Sequence, residues 1–189
     1  MGRALFSNAD FLDAARKLVA ERGPAAVTVG SVTERLGAPI GSFYHRFASR
    51  DVLLGELWLA AALDFQQGFI AAIAAGDGLG AALHMPAWVR AHLDDACLLL
   101  LYHRRDFTQG PWPQALKQGV ADQARRFEAC VTQFAREALR GTNPNRLRTA
   151  QFVLVDVPGG AVRPHLARHE PPPRVVEKLI RQTYHAIVD

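Results

Sequence analysis

The chain has 189 residues, 49% of them hydrophobic and 21% charged, with a net charge of +4, which fits one or two ordered globular units with a packed core and excludes a disordered chain. Its longest apolar run, ACLLLLY at 96–102, falls far short of the ~20 residues of a membrane span, and Asp10 and Asp13 stand where a secretory signal needs an unbroken apolar core, so a cytoplasmic protein without a membrane partner is expected. Cys97 and Cys130 lie far apart with no CxxC partner, and are expected as buried apolar residues rather than a disulfide.

In chain order, SNADFLDAARKLVAERG at 7–23 predicts a first helix. Ser7 and Asp10 have capping-box spacing, Gly23 and Pro24 stop the helix, and Phe11, Ala14, Ala15, Leu18 and Val19 mark one buried face. Thr28 is placed to cap a second helix that runs to about Leu36, with Val27 and Val32 as a hydrophobic staple. Gly37 suits a left-handed turn, and Pro39 suits the first turn of a third helix over roughly 39–46.

That third helix is too short to be stable alone. Ile40, Phe43 and Phe47 share a stripe and are expected to bury against the first two helices, which leaves Ser42, Tyr44, His45 and Arg46 for other directions. Ser49 caps a fourth helix reaching about Ala75, long enough at ~1.5 Å per residue to link a small head to a second domain.

Helical periodicity continues at 80–94, 95–105, 113–140, 145–168 and 172–188, with a kink or break predicted at Pro158, Gly159 and Gly160. No strand alternation persists, so the fold class is all-α, with domains at 1–50 and 51–189. Charge is uneven: residues 1–50 carry seven basic side chains (Arg3, Arg16, Lys17, Arg22, Arg35, Arg46, Arg50) against four acidic ones, and the remainder is nearly neutral. A positive head on a neutral body fits an anion-binding module.

The stretch TVGSVTERLGAPIGSFYHRFASRDVLLGELW, with its turn glycine at 37, small Gly41 and Ser42, aromatic Phe43-Tyr44-His45 and Phe47, and Ser49-Arg50-Asp51-Leu53, resembles the helix-turn-helix of the TetR/AcrR family of bacterial transcriptional regulators. The resemblance covers about residues 8–58. The family typically has Ser and Lys where this chain has Pro39 and Ile40, and Lys where it has Arg50.

The resemblance implies a sequence-specific DNA-binding regulator, typically a repressor released from its operator by a small molecule. The third helix would enter the major groove, with Pro39, Ile40, Gly41 and Ser42 facing bases. Thr28, Tyr44, His45 and Arg50 would contact phosphates. Competing readings stay open: Thr28 is a cap in any case, Tyr44 can pack its ring under the linking helix, and Arg50 can form a solvated pair with Asp51.

The resemblance also implies a homodimer through the last two helices and a pocket for a small apolar or aromatic effector. The apolar faces there offer Phe152, Val155, Val162, Val175, Val176, Leu179, Ile180, Tyr184 and Ile187 for the seam, unless they pack within one chain. The candidate pocket set is His84, Trp88, His92, Tyr102, His103, Trp112, Phe127, Cys130, Phe134 and Phe152.

His165 and His169 have an i, i+4 spacing but no third ligand, and no nucleophile or phosphate-loop motif occurs, so neither metal, cofactor nor enzymatic activity is expected. The alternative is a helical ligand-binding bundle with a vestigial DNA-binding head, favoured by the sparse hydrogen-bonding inventory at 39–42.

Overall fold

Helix α1 (Asn8–Arg22) begins at the expected capping box, where Ser7 Oγ accepts from Asp10 N and the Asp10 carboxylate accepts from Ser7 N at 2.6 Å. The structure, a computed structural model, describes residues 6–108 and 110–188, so Arg3 lies outside the described residues. Thr28 caps α2 (Val29–Leu36) by accepting from Ser31 N at 3.0 Å, and Gly37 closes it in the left-handed conformation at φ 65°. α3 (Ile40–Tyr44) and the long α4 (Arg50–Ala74) follow.

Phe11, Phe43 and Phe47 are fully buried in a ring cluster with centroids 5.6, 5.9 and 6.1 Å apart, which fixes the short α3 on α1. Ile40, expected in the same stripe, is 58% exposed. α3 has only five residues, and its first one overhangs the surface that α1 and α2 offer.

The body comprises α5 (Gly78–Ala91), α6 (Leu93–Leu101), α7 (Gln114–Glu137), α8 (Pro144–Gln151), α9 (Val157–Leu166) and α10 (Val175–Val188), with no strand among the described residues. The kink or break predicted at Pro158 takes the form of a π turn over Phe152–Asp156, after which the helix runs on. Val157 N reaches back to Phe152 O, and Pro158 follows directly on the π turn as the second residue of α9, in a helix that runs through without a break.

α4 is long and apolar enough, by length and composition, to cross a bilayer. Here it is the central helix, packed against α1, α5 and α7. Two hydrophobic cores share it: one joins α1–α3 to its first half and takes Leu98, Phe107, Trp112 and Leu116 from the body, and the other gathers Phe69, Trp88, Phe134, Leu154 and Ile180. Apolar contacts therefore cross the division at residue 50, which stands as a proposal about functional units.

Polar ties also cross it. Arg16 Nε lies 2.6 Å from Asp95 on α6, and Trp112 Nε1 donates to Asp51 O at 3.0 Å. The Trp112 ring lies so close to α4 that a Cβ at Gly55 would meet it at 2.6 Å. Cys97 and Cys130 are buried free thiols, pushed up to about 11 by burial.

Candidate nucleic-acid interface and effector cavity

With Phe43 and Phe47 turned inward, α3 presents Pro39, Ile40, Gly41, Tyr44 and His45 as exposed residues and Ser42 as half-buried. The Tyr44 ring is braced edge-on against Phe43 at 5.4 Å yet remains 58% exposed, so it is not packed away under α4. Thr28 is both the α2 cap and exposed.

Gly41 is helical with no positive φ, and an added Cβ would meet nothing within 4 Å, so the fold does not demand a glycine there. Gly30 in α2 is similar, the nearest atom being its own cap's Oγ1 at 3.8 Å. Its signal in the sequence is a glycine inside an eight-residue helix, where alanine is preferred by about 1 kcal/mol.

The cations of the head are largely engaged within the chain. Arg46 donates to Ser42 O at 2.9 Å and to Phe6 O, with its guanidinium 5.6 Å from the centre of the Phe11 ring. Arg35 forms a two-pronged pair with Glu21 at 2.5 and 2.8 Å, which holds the Glu21 carboxyl below the usual range. Lys17 pairs with Asp13 at 2.7 Å. Arg22 is exposed, and its guanidinium makes no hydrogen bond among the described residues.

Arg50 was expected at a phosphate. All three of its guanidinium nitrogens have partners inside the chain: Nε donates to Val27 O at 2.6 Å, Nη2 to Pro24 O at 2.8 Å and Nη1 to Asp51 at 3.0 Å. It staples the α1–α2 connection to the start of α4, so its direct effect is on the orientation of the head.

An apolar cavity lies between α4, α7, α8 and the turn at 104–106. An outer lobe of about 400 Å³ and an inner lobe of about 240 Å³ share Trp58, Arg104, Gln123 and Phe127. Of the ten expected pocket residues, Phe127 alone lines it. The others lack convergence because each is held in its own contact.

His84 sits over Gly68, where a Cβ would meet its ring at 2.3 Å, and bonds Phe65 O at 2.8 Å; burial lowers its pKa below the ordinary histidine value. Trp88 donates to Asp64 at 2.7 Å and stacks on His92. Tyr102 packs beside Gly23, His103 is exposed at a turn, and Trp112 covers Gly55. Cys130 and Phe134 belong to the core, and Phe152 is exposed. Trp58, Gln66 and Arg104 were missed, because residues distant in sequence meet only once α4 and α7 pack.

Among the residues expected at a dimer seam, Val162, Val176, Ile180 and Tyr184 are buried within the chain itself. Phe152, Val175 and Leu179 remain exposed, and Val155 and Ile187 are half-buried. The i, i+4 recurrence of Val176, Ile180 and Tyr184 faces the body, so α10 shows solvent its other side.

His165 and His169 do not share a helix face: α9 ends at Leu166, and His169 takes a left-handed conformation, 3.3 Å from Asp94 and 3.6 Å from Cys97 Sγ. Among the described residues no group of three ligating side chains converges.

Residues 11–57 match the family model described as bacterial regulatory proteins, tetR family. The fold of the whole chain is similar to that of a putative tetR family transcription regulator from Shewanella sp. PV-4, at 16% identity over 96% of this chain and 95% of that one, with a TM-score of 0.70. It is also similar to FadR from Bacillus subtilis in complex with stearoyl-CoA (14% identity, 97% and 98% covered, TM-score 0.68). A third is the ketosteroid transcriptional regulator KstR2 of Mycobacterium tuberculosis (16% identity, 99% and 95% covered, TM-score 0.66). No curated protein matches the chain significantly.

Proposed function

We propose, from the premise that this chain carries the TetR-family N-terminal domain on an all-α TetR-like fold, that it is a sequence-specific DNA-binding repressor released from its operator by a small effector. The observation that carries the reading is the surface of α3. Two buried phenylalanines hold it rigidly, and its outward residues include a glycine that no protein contact explains.

Pro39, Ile40, Gly41 and Ser42 face base edges, with Ile40 placed for a thymine methyl and Ser42 as the side-chain hydrogen bonder. Thr28, Tyr44 and His45 hold phosphates, and Arg50 positions the head rather than gripping the duplex. Two copies associate through Phe152, Val175 and Leu179, which sets the recognition helices ~34 Å apart for successive major grooves. An apolar or aromatic molecule in the cavity beside α4 biases the tilt of that helix and so the spacing. The stearoyl-CoA complex of the B. subtilis regulator supports a ligand-binding body on this fold. No catalytic step is assigned.

A gel-shift across a salt series, using the DNA immediately upstream of the coding region, tests the reading. The regulator shows a steep salt slope and prefers that DNA over a scrambled duplex. A second reading, a ligand-binding bundle with a vestigial head, is favoured by the in-chain engagement of Arg35, Arg46 and Arg50. It predicts weak binding equal on both duplexes.

A further inference from the structure

Among the described residues, the cavity beside α4 has Arg104 as its cation and Gln66 Oε1 as an acceptor without a donor. The Arg104 guanidinium lies 5.6 Å from the centre of the Trp58 ring, is exposed, and has no hydrogen-bond or ion-pair partner among the described residues. A cation fixed over an indole face at a cavity mouth is a ready partner for an anion.

At the inner lobe Gln66 is 3% exposed. Its Nε2 donates to Gln123 O at 3.3 Å, while its Oε1 is buried with no partner among the described residues. Exchanging the amide nitrogen and oxygen gives no remedy, because the neighbouring group is itself an acceptor. A buried carbonyl without a donor is costly, and a ligand donor would relieve it.

Between these two points the walls are aromatic: Trp58 and Phe127 line both lobes and Phe65 lines the inner one. Glu128 also lines the outer lobe and stands exposed, so Arg104 is the side of that lobe that draws an anion.

The geometry points to an aromatic carboxylic acid bearing a hydroxyl as the ligand of this cavity. Its carboxylate pairs with Arg104, its ring lies against Trp58 and Phe127, and its hydroxyl donates to Gln66 Oε1. The lobe volumes suit a small aromatic acid. This assignment rests on the regulatory reading only in naming that ligand the effector; binding is a property of the free protein.

Titration calorimetry on the full chain without DNA tests it, with 4-hydroxycinnamate, its methyl ester, cinnamate and dodecanoate as probes. The hydroxy acid is expected to bind about tenfold or more tighter than its ester, since a charge-assisted contact is lost in the ester, and about threefold or more tighter than cinnamate. Arg104→Gln closes the gap between acid and ester, and Gln66→Leu closes the gap between hydroxycinnamate and cinnamate, both variants keeping the wild-type circular dichroism spectrum. Equal binding of acid and ester, tighter binding of dodecanoate, survival of the acid–ester gap in Arg104→Gln, or no binding of any probe at millimolar concentration overturns the assignment. If the hydroxy acid binds as expected but the upstream duplex is not retarded at any salt, the regulatory reading fails and the ligand assignment stands.

Discussion

Gly41→Ala separates what the fold requires of α3 from what a duplex requires. Gly41 is the second residue of the helix, with no positive φ and with open space where a Cβ would stand. Alanine therefore adds no clash and reduces the freedom of the unfolded chain, for a gain of about 0.5–1 kcal/mol. At roughly 2–4 °C per kcal/mol for a chain of this size, the melting temperature should rise by about 1–4 °C. Gly55→Ala is the internal control: its methyl would lie 2.6 and 2.8 Å from Trp112 ring atoms and 2.9 Å from Leu116, so the same chemical change should cost about 1–3 kcal/mol.

On DNA the order reverses. With α3 in the groove as proposed, a methyl at position 41 holds the helix off the base edges, and a loss of tenfold or more in affinity, about 1.4 kcal/mol, is expected from fluorescence anisotropy with the upstream duplex. A Gly41→Ala protein that melts lower than wild type, or binds that duplex within twofold of it, refutes the argument that the glycine is there for a partner.

Arg50→Ala should lower stability by about 1–3 kcal/mol in denaturant titration by removing the bonds to Val27 O and Pro24 O, and lysine should not restore it because it lacks the fork. Tyr44→Phe, by contrast, should leave stability within about 0.5 kcal/mol and weaken binding to all duplexes alike. Leu179→Glu, on the exposed side of α10, should yield a folded monomer in sedimentation, whereas Ile180→Glu, 1% exposed, should fail to fold; a dimeric Leu179→Glu removes that face from the seam. His84 has a folded-state pKa depressed by burial, so the unfolded chain binds more protons between that value and ~6.5, and its contribution to stability falls as pH drops through this window. Melts at pH 7.5 and 5.5 should show a larger drop for wild type than for His84→Gln, and equal drops would contradict the assignment.

The helices of the head were legible because their signals are local. Ser7 with Asp10, Thr28, Gly37 and Ser49 are caps and stops that act within a few residues, and the structure uses each as the sequence spells it. The inward turn of Phe43 and Phe47 followed from helical spacing, but the exposure of Ile40 did not, since periodicity says which residues share a face and not how far the neighbouring surface extends.

The sequence by itself determined the all-helical order of elements, the short α3 with its outward polar tips, and the long α4 that joins head to body. Tertiary structure decided the rest. It tied Arg50 to Val27 O and Pro24 O, split the last helices into buried and bare sides, and gathered Trp58, Gln66 and Arg104 with Phe127 around a cavity that the other nine expected pocket residues do not line. The physical reason is range: a cap or a helical stripe is set by neighbours along the chain, whereas a cavity and the partner of a long cation are set by which helices happen to face each other once packed.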